Sequence, residues 1–192
     1  RMYNMQKVKK KNRFTWLISL AVMLVLSGAV ILATQQVDAA VYGRYRESQP
    51  VNFTVASTEA AALSDNAADY HVNAAEICYD DAGNVVAYEV ETWEFGFNTE
   101  EPIVIRSTIS ADATLLAGIE VVSQDETEYY GDNISKESYT SRFTGRLFPI
   151  LSSTDAGVGS KVDGWTGATY SSNAVIQAID DAYRYVTEQM MG

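Results

Sequence analysis

The sequence predicts an α+β fold, in which one N-terminal transmembrane helix leads into an antiparallel-sheet domain closed by a long C-terminal helix. Three observations point there. An uncharged, mainly apolar run covers residues 14–33. Between residues 74 and 124, β-favouring runs come in pairs joined by short polar turns. From residue 175 onward, apolar side chains recur every three or four positions. A chain of 192 residues has room for an anchor and one domain with a proper core, but hardly for two such domains.

The elements follow in order. Residues 1–13 form a basic tail with Arg1, Lys7, Lys9, Lys10, Lys11 and Arg13. The run at 14–34, rising ~1.5 Å per residue as a helix, is long enough for the ~30 Å hydrocarbon core of a bilayer. Lys and Arg beside a span stay cytoplasmic, so the basic tail is expected inside and everything beyond the span outside the cytoplasmic membrane. A cleaved signal peptide is the competing reading, with 37–39 as a loose small-residue cleavage site, but its apolar core would be shorter. Residues 35–70, rich in Ala, Ser, Thr and Gln, are expected to be a stalk or linker with room for one short helix leading into the domain, and 71–192 the extracytoplasmic domain.

Within that domain, runs 74–79 and 85–92 flank the turn Asp80-Asp81-Ala82-Gly83-Asn84, which predicts a hairpin. A second pair, 103–110 and 115–124, is joined by residues 111–114. Four antiparallel strands, half-buried by their alternation, are the minimum expectation. Val175, Ile179, Ala182, Tyr183, Val186 and Met190 define one face of the last helix, with Ser171, Ser172 or Asn173 as its N-cap.

Charge and composition exclude several function classes. Six of the 14 Lys and Arg lie in the tail, leaving 8 against 25 acidic residues. Nucleic acid is therefore not an expected partner, because phosphate backbones are held by clustered basic side chains. A single cysteine, Cys78, allows neither an intrachain disulfide nor a Cys cluster for zinc or iron–sulfur, and no metal site is expected. His71 is likewise alone, and reads as a surface or turn histidine.

The informative stretch is residues 163–172, directly before the last helix, where two glycines and several hydroxyls precede unpaired backbone N–H groups and the positive end of the helix dipole. That is a possible phosphate site, although the spacing is not that of a Walker loop. Ordinary helix capping explains the same residues on chemistry alone.

The run Asp163-Gly164-Trp165-Thr166-Gly167-Ala168-Thr169 is similar to the Asp-x-x-(Ser/Thr)-Gly-Ala-Thr signature of flavinylated proteins, in which a dedicated FMN transferase esterifies the flavin phosphate onto the final Thr. Upstream, Glu126-Thr127-Glu128-Tyr129-Tyr130-Gly131 resembles the family's Glu-Thr-Pro-Gly-Leu-Gly, with Glu128 in place of Pro and Tyr129 in place of Gly. A weaker likeness joins Phe95-Gly96-Phe97 to a Gly-rich turn of the family. The resemblance covers roughly residues 70–192 and implies an FMN-binding domain of the kind found in the G subunit of the Rnf complex and the C subunit of the sodium-pumping NADH:quinone reductase.

It further implies FMN held by a phosphoester to Thr169, with Asp163, Trp165, Thr166, Gly167, Ala168, Tyr170, Ser171, Glu126, Thr127 and Gly131 around it. Trp165, Tyr170, Tyr129 and Tyr130 are candidates for stacking on the flavin ring, each also readable as ordinary core or surface. Glu126 is equally readable as a solvated loop carboxylate. No catalytic acid, base or nucleophile is expected, since the flavin does the redox work.

The leading expectation is an electron-transfer subunit of an Rnf-type ferredoxin:NAD oxidoreductase that couples electron flow to ion translocation. Its implied partners are a second flavinylated subunit, an iron–sulfur-bearing membrane subunit and, during maturation, the FMN transferase. The C subunit of a quinone reductase or a stand-alone surface flavoprotein is the alternative within the same chemistry. A pilin-like or adhesive anchored ectodomain without flavin is the alternative of another class.

Overall fold

The computed structural model describes residues 2–191, with side chains from residue 16 onward. It divides into two units, Arg1–Arg44 and Tyr45–Gly192. The first is built on helix α1, Met2–Arg46, which is long and apolar enough to cross a membrane. Leu17, Val22, Leu26 and Ile31 on it are exposed, a surface that water penalises by ~25 cal/mol per Å². The side chains of the basic tail lie outside the described residues. The helix runs past the expected end at 34 because Gln35, Gln36, Ala39, Ala40 and Arg44 all favour helix, and the first proline is Pro50.

The segment read as a stalk enters the second unit. Strand β1, Ser57–Ala60, pairs antiparallel with β2, Val72–Tyr79. All four β1 residues are exposed, so no apolar alternation announced the strand. Between them a 3-10 turn, Ala67–Tyr70, ends on His71 in the left-handed region at φ 52°.

The strands then follow as a meander. β3, Val85–Glu94, β4, Ile103–Ser110, β5, Leu115–Ser123, and the short β6, Arg146–Leu147, complete a six-stranded antiparallel sheet in sequence order. The β2–β3 turn closes because Asp80 Oδ1 accepts the N–H groups of Ala82 and Asn84 while Gly83 supplies φ 79°. The β4–β5 turn closes on Asp112 Oδ1, which accepts from the Ser110 and Thr114 hydroxyls and the Thr114 N–H. Along β4 the alternation is kept: Ile103, Ile105, Ser107 and Ile109 are buried, with Val104, Arg106 and Thr108 half-buried between them.

That buried face receives the last helix. A one-turn helix α2, Glu137–Thr140, and a parallel strand pair, β7, Ile150–Ser152, and β8, Ser160–Val162, bring the chain to α3, Thr169–Tyr185. Val175, Ile179, Ala182 and Val186 are fully buried, as their spacing predicts, and Ala174, Ala178 and Tyr185 join them. Tyr183 and Met190 pack half-buried at the margin. Each fully buried Val or Ile contributes about 1.5–3 kcal/mol. Thr92 Oγ1 donates to Ala178 O at 2.8 Å, fixing α3 lengthwise on β3. The first turn of α3 is thereby held over the loops that leave β3 and β5.

Candidate functional site

The loop before α3 is shaped by Gly167, whose φ of 85° suits glycine. A Cβ there would also come 3.2 Å from the ring of Tyr130. Ala168 then takes the N-cap position and Thr169 is the first helical residue. This corrects the expected cap: the hydroxyls of Ser171 and Ser172 lie inside the helix and serve other partners. Ser172 Oγ accepts the Trp165 N–H at 2.9 Å, folding the approach loop back onto the helix. Ser171 Oγ donates to Glu126 Oε2 at 2.6 Å. Since Ala168 makes no side-chain cap and the first turn carries no acid, the first N–H groups of α3 open toward the loop side, where an anion is favoured.

Glu126 is the hub beneath this turn. It is buried, and besides Ser171 it accepts the backbone N–H groups of Phe97 and Asn98, each at 3.2 Å. Three chain segments are therefore tied to one carboxylate: the loop after β3, the loop after β5 and the start of α3. The bare backbones of two glycines make room for it. A Cβ on Gly96 would fall 2.3 Å from Glu126 Oε1, and one on Gly131 would fall 2.7 Å from Glu126 Cβ. The alternative of a solvated loop carboxylate is corrected by this packing.

The loop after Glu126 accommodates one of the two departures from the related motif, Tyr129 in place of Gly. Thr127 O accepts the N–H groups of Tyr130 and Asp132, and Tyr129, where the related motif has Gly, adopts the left-handed conformation at φ 67°. The turn is thus kept without its glycine, at a steric cost of roughly 1–2 kcal/mol.

These pieces enclose a cavity of about 220 Å³ lined by Phe97, Glu126, Thr127, Tyr130, Gly131 and residues 167–171. Thr169, Tyr170, Thr127 and Tyr130 are exposed at its rim. Phe97 and Tyr170, 66% and 69% exposed, lie with ring centroids 6.2 Å apart and planes tilted by 48°. Phe97 was missed as a site residue by sequence reasoning. Its signal, an aromatic beside a glycine in a weakly matching turn, gained meaning only from the Glu126 contact.

Asp163, Trp165 and Thr166 sit elsewhere. They line a second hollow of about 600 Å³ with Arg142, Ser153 and Gly164. Arg142 donates to Asp163 O at 2.9 Å and Gly164 O at 3.3 Å and lies over the rings of Trp165 and Tyr139, at 5.3 and 5.4 Å. Here Trp165 braces the loop that presents Thr169 and does not line the first cavity. Burial pushes the Tyr139 hydroxyl, under the same turn, up to about 12. Cys78 lies buried in β2, and burial pushes its thiol up to about 11, so thiolate chemistry is suppressed there. His71 occupies a turn, as expected, but its ring is not free: it lies between Glu94 and Asp181 and against Trp93.

Comparison with known proteins places this geometry. The family model described as FMN-binding domain matches residues 98–184, which include Glu126, Gly131 and the whole of the 163–171 loop. The G subunit of an ion-translocating oxidoreductase complex from Methanosarcina acetivorans is 33% identical over 110 residues, covering 57% of this chain and 56% of that protein. The chain thus spans little more than half the length of this curated relative. Among solved structures, the C subunit of the Na(+)-translocating NADH-quinone reductase from Parabacteroides distasonis shares the fold, with TM-score 0.52 and 19% identity, covering 69% of this chain and 76% of that one. Shewanella oneidensis NqrC aligns with TM-score 0.49 at 18% identity, covering 65% of this chain and 63% of that chain. The segment 98–184, with its cavity between the Glu126 loop and the start of α3, is similar to an FMN-binding domain.

Proposed function

We propose that this chain is the FMN-bearing, electron-relaying subunit of a membrane-bound Rnf-type ferredoxin:NAD oxidoreductase that couples electron flow to ion translocation, with FMN joined by a phosphoester to Thr169. One observation carries the attachment site: the exposed hydroxyl of Thr169 stands at the first helical residue, beside a helix N-terminus that has no side-chain cap and no acid in its first turn. A phosphodiester on that oxygen retains one negative charge, where the helix dipole favours it.

The residues fit the rest of FMN. A Cβ on Gly131 would strike Glu126 and one on Gly167 would crowd Tyr130, so both glycines let the cavity walls pack closely around the start of α3. At about 220 Å³ the cavity is smaller than the roughly 300–1,000 Å³ that encloses a drug-sized ligand, so it suits the phosphate and ribityl end and leaves the ring at the rim. There Phe97 and Tyr170 stand 6.2 Å apart. Their planes are tilted by 48°, so stacking on both faces of a planar ring would require the two side chains to turn as well as part. When bound, FMN supplies one- and two-electron transfer. Thr169 and the first N–H groups of α3 would hold the phosphate, and Phe97 and Tyr170 at the rim would cover the ring. Glu126 keeps the Phe97 loop and α3 in register.

The membrane reading rests on α1, long and apolar enough to span, and on the lysines that precede its apolar run in sequence, which favour a cytoplasmic N-terminus and an extracytoplasmic flavin domain. The curated relative is named as a subunit of an ion-translocating oxidoreductase complex, which supports further redox subunits in the membrane as partners: a second flavinylated subunit and an iron–sulfur-bearing one. Co-expression with an FMN transferase tests the proposal. Wild type and Thr169→Ser should stay fluorescent in a denaturing gel, and Thr169→Ala should be dark. Equal fluorescence in Thr169→Ala would place the tether elsewhere, and a colourless wild type would favour an anchored ectodomain without flavin.

A further inference from the structure

Three ionisable side chains from separate stretches of the second unit meet well away from the FMN cavity. Asp181 lies twelve residues beyond Thr169 on α3, about 18 Å along the axis at ~1.5 Å per residue. Glu94 is the last residue of β3, and His71 follows the 3-10 turn. His71 Nδ1 is 2.8 Å from Glu94 Oε1 and 3.0 Å from Asp181 Oδ2. The ligand atoms of all three lie within 4.8 Å of one another.

We propose that His71, Glu94 and Asp181 form a binding site for a divalent transition metal of the Zn²⁺ class, with a fourth position open to water. Charge favours a cation here. The Asp181 side chain is only 4% exposed and Glu94 stands near it at 20%, and a buried carboxylate must be met by positive charge. Arg184 supplies part of it, 3.4 Å from Asp181 Oδ1, but is shared with Glu188 at 3.8 Å. Asp180, half-buried beside Asp181, adds to the negative excess.

Ligand type and geometry select the ion. One imidazole nitrogen with two carboxylate oxygens is a donor set for zinc-like ions, whereas Ca²⁺ and Mg²⁺ ask for six or more oxygens. A tetrahedral ion with bonds of about 2.0–2.1 Å spaces its ligands about 3.3 Å apart. The His71 nitrogen needs to move a few tenths of an ångström from each carboxylate to meet that spacing, and the set as a whole, spread over up to 4.8 Å, draws in toward the ion. Supporting contacts hold two of the ligands: the Trp93 ring lies against His71 at 4.5 Å between centroids, and Arg184 holds the second oxygen of Asp181. His71, one-third exposed, leaves a side open for entry. The ligands are too far apart in the chain to form a recognisable motif, which is why sequence spacing gives no signal. Since Glu94 leads directly into the loop bearing Phe97, a metal here would tie the root of that loop to α3.

The test uses the tag-free 192-residue chain in detergent, stripped with chelator and dialysed against ZnCl₂ in the presence of excess Mg²⁺ and Ca²⁺, with metal counted by elemental analysis. One zinc per wild-type chain is expected. His71→Asn, chosen because asparagine tolerates the left-handed backbone, and Glu94→Gln should each weaken binding tenfold or more while keeping a cooperative melt. No retained zinc in the wild type, or binding within tenfold of wild type in both variants, would overturn the proposal and leave the cluster a histidine ring held between carboxylates.

Discussion

Replacing Glu126 by Gln separates a buried hub from a solvated loop carboxylate. The carboxylate accepts three hydrogen bonds, from Ser171 Oγ and Phe97 N on Oε2 and from Asn98 N on Oε1. Glutamine has the same shape but one acceptor oxygen, so whichever way the amide is turned, its NH₂ faces Phe97 N–H or Asn98 N–H. One backbone donor is left unpaired in a buried place, at about 1–3 kcal/mol. For a domain of this size each kcal/mol moves the midpoint of thermal unfolding by about 2–4 °C, so a fall of roughly 3–10 °C is expected. Scanning calorimetry or far-ultraviolet circular dichroism on the flavin-free chain measures it directly. On flavin-loaded protein, emission should rise as the Phe97 loop loosens. A midpoint within 1 °C of wild type, with unchanged emission, would refute the hub, because a solvated carboxylate contributes no more than about 0.5 kcal/mol.

Other substitutions probe the same region and its scaffold. Tyr129→Gly, relieving φ 67° at an exposed residue, should stabilise the chain by about 0.5–1 kcal/mol in chemical denaturation. Gly167→Ala, which puts a Cβ at φ 85° and against Tyr130, should cost about 1–2 kcal/mol and lower the flavin yield per chain. Phe97→Ala should leave the flavin mass on the chain unchanged but raise flavin fluorescence severalfold, as one stacking face is removed. In the β4–β5 turn, hydrogen bonds from Ser110 and Thr114 hold the Asp112 carboxyl below the usual carboxylate range. Its contribution is therefore complete above the ordinary value and is lost as pH falls through the lowered one. Asp112→Asn should cost up to about 1 kcal/mol at neutral pH and flatten the acid side of the stability curve.

The parts of the fold legible in the sequence were those written in short-range periodicity. β4 alternates from Ile103 to Ile109, and α3 repeats Val175, Ile179, Ala182 and Val186, because each buries one face against the other. β1 stayed hidden because an exposed edge strand needs no apolar residue, and the helical continuation to Arg46 because a stalk and a polar helix share a composition. At the site, residues 167–171 were legible as a local motif. The role of Glu126 was not, since its partners Phe97, Asn98 and Ser171 lie on other segments. Adjacency along the chain also put Asp163, Trp165 and Thr166 in the same environment as Thr169. The fold of the loop turns them to the Arg142 side, where Trp165 packs under a guanidinium and lines a different hollow.

Tandem mass spectrometry of the peptide spanning residues 162–184, from chain purified with its FMN transferase, bears most directly on the attachment. The fragment ions should carry one FMN, less water, on Thr169 alone. Thr166 is equally exposed and hydroxylated but precedes the helix, away from its first-turn N–H groups. Flavin on Thr166, or a peptide without added mass, would contradict the placement of FMN at the start of α3.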